Sequence, residues 1–403
     1  MSRAGPRGVP TDAVTANRWR SWPEVAATGV LAAVLSWQYS GLLALLDPSH
    51  TIFPEAGIAE SADITHFSAV GEAVLRGDLA AGYAESSVQA GPLQLVLDAL
   101  VVRGFAGSPE AWSVARFAIM WVFLLVAVLL CRPRNSERGP RLAAVAFVAV
   151  LTAMQQPVAF YGWGHWWHLP VMLLMALAAG CAASHRPLAA GLALGLAVWL
   201  EPFAALGIAV FVLSPGVWAA VKSTATAAIV GGAAYLPFVL TGSFAMGDRT
   251  WPVSGGTWAS LLRVDSATFS VSWPLRLAQS VLVVVLAGLI VWRLRDRLPL
   301  PALALVAAVC VVLARIATEA FWWPYYWLVP LVFLGAAALR LAWLRRPEAI
   351  PLGLGAWLGA FVAPLSGPLA AVLALVLVAL CPLPAWAALW ARLAGAGRRP
   401  TAS

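Results

Sequence analysis

Ser61-Ala62-Asp63-Ile64-Thr65-His66-Phe67 is the densest part of a polar stretch, residues 48–92, in a chain that is otherwise mostly apolar. Asp47, Glu55, Glu60, Asp63, Glu72, Asp78 and Glu85 stand in or beside this stretch against one cation, Arg76. The stretch follows directly on the first long apolar run, 24–46. A connection this long and this charged more often carries function than merely joins helices; the plainer reading is a solvated loop without chemistry. Either way it interrupts a chain of apolar runs, many near the ~20 residues that span a bilayer, and that alternation decides the fold.

Of the 403 residues 61% are hydrophobic and 11% charged, against a usual charged share of about 25%. A soluble protein of this composition could not cover its surface, so the chain reads as an all-α, polytopic transmembrane helix bundle. The net charge of +8 does not mark a nucleic-acid surface, because the basic residues gather at the ends of apolar runs, where they orient a membrane protein. Lys222 is the single lysine among many arginines, a bias that, with the Ala and Gly content, suggests a high-GC bacterial genome. Cys131, Cys181, Cys310 and Cys381 lie in or beside apolar runs without metal-type spacing and read as packing residues, not disulfides.

The positive-inside rule orients the runs. Residues 1–22 form a basic cytoplasmic tail leading into an uncleaved anchor, which puts the acidic stretch outside. The next apolar piece, 92–105, is short and contains Asp98 and Arg103. Were it to cross, the Arg-rich loop 132–141 would fall outside, so it is laid on the membrane surface, within a first external loop spanning 47–111. Runs 112–131, 142–160 and 169–183 then alternate, and 188–211 is split at Glu201-Pro202 into two short legs meeting outside, because proline interrupts a helix. Run 218–240 leads to a second long external loop, 241–274, and five further runs end at 389. This makes about twelve crossings within one domain, 23–393, with residues 394–403 and the N-terminus cytoplasmic. The Gly191/Gly195 and Gly355/Gly359 pairs have the small-xxx-small spacing of close helix packing.

One face thus collects Asp63, His66, His165, His168, Glu201, Asp248, Asp265, Arg315 and Glu319, and ionisable groups near membrane depth suggest function. Asp63 precedes Ile64, Phe67, Val70 and Val74, whose spacing makes an amphipathic surface helix with the carboxylate at its N-terminus, where the helix dipole favours it. A general base facing an incoming hydroxyl and a helix N-cap both fit that position. His165 and His168, flanked by Trp163, Trp166 and Trp167, suit interfacial anchoring or hydrogen bonding to a sugar or phosphate; nothing at close spacing completes a metal site. Glu201 stands in an apolar run, and Glu319 follows Arg315 at a spacing that lets the two pair across one helical turn. Asp248 and Asp265 also read as solvated loop residues.

An external-loop Asp63, a surface helix ending Arg76-Gly77-Asp78, then Tyr83 and Gln89-Ala90-Gly91-Pro92-Leu93, resembles the opening of the GT-C glycosyltransferases. Gly164-His165 and the run Ala190-Gly191-Leu192-Ala193-Leu194-Gly195-Leu196-Ala197 before a polar-Pro pair are similar to the bacterial polyprenyl-phosphate-mannose-dependent mannosyltransferase and arabinofuranosyltransferase group, glycosyltransferase family 87 and its relatives. The resemblance covers roughly 22–213 and, more loosely, 315–327. It implies an inverting transferase with Asp63 as catalytic carboxylate, a polyprenyl-phosphate sugar as donor, a cell-envelope lipid or glycan as acceptor, and no cofactor or metal. His66, Gln89, His165, His168, Glu201, Arg249, Arg315 and Glu319 would then contact substrate. Glu201-Pro202 stands where that group commonly has Lys-Pro or Arg-Pro, so the donor phosphate would be met by Arg249, Arg263 or Arg315. A transporter or lipid flippase, which would place charges at the midplane and show internal repeats, and a non-catalytic scaffold of the same fold are the alternatives.

Overall fold

The computed structural model describes residues 22–38, 62–105, 108–132, 138–153, 165–248, 253–261, 273–321, 324–363 and 365–396. All regular structure among them is helical: α1 (Trp22–Gln38), α2 (Ala62–Leu75), α3 (Pro92–Phe105), α4 (Pro109–Cys131), α5 (Arg138–Ala153), α6 (His168–Ala183), α7 (Pro187–Leu200), α8 (Val217–Val239), α9 (Trp258–Leu261), α10 (Trp273–Leu294), α11 (Leu300–Thr318), α12 (Leu328–Trp343), α13 (Ala349–Phe361), α14 (Gly367–Ala379) and α15 (Pro384–Ala396), with a 3₁₀ stretch at Pro202–Leu213.

Three helices, α8, α10 and α11, are long and apolar enough to cross a membrane. Most other apolar helices are shorter, 10–17 residues. The run expected as one span at 368–389 is α14 followed by α15, a pair bent by 90° between Ala379 and Pro384, which makes it a broken span or a re-entrant loop. Pro382 and Pro384 lie at that bend, and each removes a backbone donor.

α11 is the axis of the bundle. Cys310, Leu313 and Ala314 are fully buried, and α6, α10, α12 and α14 pack round it. α10 shows the opposite face: Leu277, Val281, Val285, Leu289 and Trp292 are all exposed. Their three-to-four-residue spacing makes one apolar stripe, which water would disfavour by roughly 1.5–3 kcal/mol per side chain and lipid would not. Ile229 and Leu236 on α8 are exposed as well.

The glycine pair on α7 sets the distance to α8. A Cβ on Gly191 would come within 2.5 Å of the Ser223 carbonyl oxygen and Thr226 Cβ, and one on Gly195 within 2.6 Å of Val230. The Gly355/Gly359 pair differs internally: a Cβ on Gly355 has ordinary room, while one on Gly359 would meet the Trp327 ring at 2.3 Å.

Polar groups collect at the two ends of the bundle. At one, Glu24 at the start of α1 is held by Arg132 Nη1 at 3.0 Å and Arg141 Nε at 3.2 Å, Arg340 donates to the Leu130 carbonyl, and Arg346 donates to the Arg297 carbonyl. At the other lie α2, α3, the His165 turn, the Glu201 elbow and α9. There Trp258 Nε1 donates to the Thr318 carbonyl, and the Ser254 amide to the Ala320 carbonyl. Among the described residues, Asp63, His165, His168, Glu201 and Glu319 of the expected face lie at this end.

The apolar face of α2 is taken up by protein. Phe67, Val70 and Val74 pack on a small satellite core of Tyr83, Val88, Ala90, Leu95 and Phe238, so the helix expected on the membrane plane is docked on α3 and on the end of α8.

Candidate functional site

Glu201 is placed by the proline that follows it. A residue before proline is driven out of the helical region, and Glu201 is extended (φ −142°, ψ 122°), closing α7 as its amide donates to the Ala197 carbonyl. The chain then folds back: a Cβ on Gly207 would lie 2.5 Å from Leu194 Cδ1, residues on opposite sides of the break. The two legs thus run side by side and leave Glu201 at their elbow, 8% exposed.

The His165 turn meets this elbow. His165 precedes α6 and His168 is its first residue, with their rings 5.3 Å apart. His168 Nε2 lies 3.5 Å from Glu201 Oε1, and His165 Nε2 lies 3.1 Å from Asp63 Oδ2. Asp63 is in the first turn of α2, its side chain 41% exposed. A carboxylate open to solvent is thereby joined through two buried imidazoles to a buried one. His165, His168 and Glu201 each present a donor atom within 4.8 Å of the others; the third ligand that close sequence spacing does not supply comes from another element.

A polar layer lies behind them. Asp98, fully buried on α3, accepts hydrogen bonds from Trp166 Nε1 at 3.2 Å and Trp167 Nε1 at 2.7 Å. The amide of Gln94, one turn earlier, faces two acceptors, Glu201 Oε1 at 3.1 Å and the Leu200 carbonyl at 2.8 Å, which assigns its nitrogen to that side. Burial raises Asp98 to about 7 despite the two indole donors, and burial likewise raises Glu201 to about 7. Burial lowers His165, partly offset by Asp63.

On the far side of His168 is a small pocket lined by Met172, Phe203, Val312, Arg315, Ile316 and Tyr326 among others. The Arg315 guanidinium carbon lies 4.4 Å from the Phe203 ring centre and 5.4 Å from that of Tyr326, a cation–π arrangement. Glu319 is buried and bridges two cations, with Arg315 Nε at 3.3 Å and Arg276 Nη2 at 3.2 Å. The pairing expected across one helical turn is present, and Arg276 is an addition.

Asp63, His165, His168, Glu201, Arg315 and Glu319 therefore form one connected group. His66 engages Ser87, Nε2 to Oγ 3.1 Å. Gln89 is a brace between loops, donating to the Ser86 carbonyl at 2.8 Å and the Met246 carbonyl at 3.1 Å. Asp248 is exposed. Arg249, Arg263 and Asp265 lie outside the described residues. Sequence reasoning passed over Gln94, Asp98 and Arg276. A signal existed for Asp98, a carboxylate inside an apolar run, the same feature that singles out Glu201.

No protein-family model, no curated protein and no solved structure matches the chain.

Proposed function

We propose that the chain is an integral membrane glycosyltransferase of the GT-C kind. It would move mannose or a pentose, with inversion, from a polyprenyl-phosphate donor to a cell-envelope lipid or glycan on the extracytoplasmic face. This reading takes about twelve crossings and both termini cytoplasmic. The observation that carries it is Asp63: a partly exposed carboxylate at a helix start, in contact with His165, at the same end of the bundle as a pocket beyond His168 that pairs a guanidinium with apolar walls.

In this reaction the acceptor hydroxyl gives its proton to Asp63 as its oxygen bonds the sugar's anomeric carbon. The carbon–oxygen bond to phosphate breaks, and polyprenyl phosphate leaves carrying the electron pair. A phosphate leaving group needs little acid assistance, so one base and one or two cations suffice. In this reading Arg315 would meet the phosphate, with Met172, Val312 and Ile316 of the same pocket beside the start of the lipid. The clustering of charge at one end of the bundle speaks against a flippase, which needs it at the midplane.

The test is purified full-length protein in detergent, supplied with labelled polyprenyl-phosphate mannose and polyprenyl-phosphate arabinose in a lipid extract. Transfer of either label to an extract lipid or glycan supports the reading. Donor binding without any transfer turns the protein into a carrier or scaffold.

A further inference from the structure

We propose that His165, His168 and Glu201 bind one divalent first-row transition-metal ion, of which zinc is the type. The site stands on side-chain geometry and holds whichever reaction the chain performs. Three ligand-type side chains from two separate elements, all buried, converge on one point. With metal–ligand bonds of about 2.1 Å, the edge of a tetrahedral site is about 3.4 Å. His168 Nε2 and Glu201 Oε1 are already 3.5 Å apart. The whole set lies within 4.8 Å, so small rotations about the side-chain bonds close the remaining edges.

The donor set selects the class of ion. Two imidazoles and one carboxylate suit zinc and its neighbours, whereas calcium and magnesium require mostly oxygen. Three protein ligands also leave one position open, the mark of a working rather than a purely structural zinc site.

The second layer is built as metal sites are built. Metal-bound histidines characteristically give their other ring N–H to a carboxylate, and bound carboxylates are themselves hydrogen-bonded. Asp63 takes the Nε2 side of His165 at 3.1 Å, leaving Nδ1 as the ligating atom in the proposed site. Gln94 donates to Glu201 Oε1 at 3.1 Å. The nearby cation Arg315 does not oppose the ion with a whole charge, because Glu319 holds it at 3.3 Å.

The experiment uses full-length protein in detergent, stripped with a strong chelator and titrated with Zn²⁺ against a chromophoric competitor. Co²⁺ serves as the spectroscopic probe of ligand geometry. One zinc per chain is expected. Glu201→Gln, which keeps the side-chain shape and the Gln94 contact, should bind more than about 100-fold more weakly, since loss of an outer partner alone typically costs 10–100-fold. Asp63→Asn should fall within that 10–100-fold range. Zinc should raise the thermal midpoint of the wild type and leave that of folded Glu201→Gln unmoved. A stripped, folded wild type that takes up no zinc overturns the site. So does a zinc affinity unchanged in both Glu201→Gln and the His165→Ala/His168→Ala double variant. Stoichiometric zinc in a protein that transfers neither sugar upholds the site and defeats the transferase reading; transfer by a protein that binds no zinc does the reverse.

Discussion

The amide of Gly91 donates to the carbonyl of Leu200 at 2.9 Å, fastening the end of the acidic loop to the residue before Glu201. The approach is possible only without a side chain: a Cβ on Gly91 would lie 2.2 Å from the Trp199 carbonyl oxygen and 2.6 Å from the Leu200 carbonyl carbon. Those are backbone atoms inside a helix end and cannot step aside. Gly91→Ala should therefore lower stability by about 1–3 kcal/mol, the usual effect of overpacking. It should also lower transfer by up to about 10²-fold through displacement of the elbow. A detergent thermal-shift series beside the transfer assay checks both, and an unchanged midpoint refutes the close approach.

Glu319 serves two guanidinium groups at once. Glu319→Gln removes the charge and leaves Arg276 and Arg315 facing each other in a largely buried site. Removing one partner of a buried ion pair costs about 3–5 kcal/mol, and both arginines here remain only a fifth exposed. A fall of about 3 kcal/mol in an unfolding titration is expected. Arg276→Leu combined with Glu319→Gln should recover part of it, because one uncompensated cation goes as well.

Asp98 gives a pH signature with a definite sign. Its folded value is about 7 against an ordinary 3.8, so between those values the folded protein holds a proton that the unfolded chain has lost. Stability contributed by protonated Asp98 is then present at low pH and declines as pH rises from about 4 to about 7. Trp166, Trp167 and Glu201 are the groups bearing on it. Asn keeps an acceptor for the two indoles and does not titrate, so the thermal midpoint of Asp98→Asn should decline less steeply than that of wild type across pH 4–8, the remaining slope belonging to Glu201, which burial also raises to about 7. Parallel profiles would remove Asp98 as its source.

The two polar ends of the bundle should face opposite sides of the membrane. Glu85 is exposed at the end that carries Asp63, and Asp296 is exposed at the other. In whole cells an impermeant thiol reagent should modify Glu85→Cys and spare Asp296→Cys until the membrane is opened. Cys131, Cys310 and Cys381 are buried and Cys181 is half-buried, so the labelling is read against a Cys181→Ala background. Labelling of Asp296→Cys alone would invert the orientation and with it the placement of the site.

What the sequence made legible was local. The apolar spacing of Ile64, Phe67, Val70 and Val74 put Asp63 at a helix start, and the pre-proline rule put a break at Glu201. Both depend on neighbours within a turn or two. The meeting of His168 with Glu201, of Gln94 with the same carboxylate, and of Asp98 with Trp166 and Trp167 depends on which loops share an end of the bundle, and no periodicity records that. Gln89, expected as a substrate contact, donates to two backbone carbonyls from separate loops, a bracing role that its two-donor amide suits and that local sequence does not record. The run 368–389 read as one span because hydropathy averages over the prolines that bend it.

Asp63 is where the functional reading is most exposed to refutation. Asn at this position keeps the size, can still accept from His165 Nε2, and caps a helix about as well as Asp; what it loses is the capacity to take a proton. If Asp63 is the base, Asp63→Asn should cut transfer by about 10²–10⁴-fold with the folded fraction intact. The assay should be run at saturating zinc, so that a weakened metal site does not imitate a lost base. As a cap alone, the same substitution should change neither quantity. Asp63→Ala separates the two less cleanly, since it removes base, cap and the His165 contact together. Near-wild-type turnover of the Asn variant would take Asp63 out of the mechanism and make Glu201, the buried carboxylate two imidazoles away, the next to test.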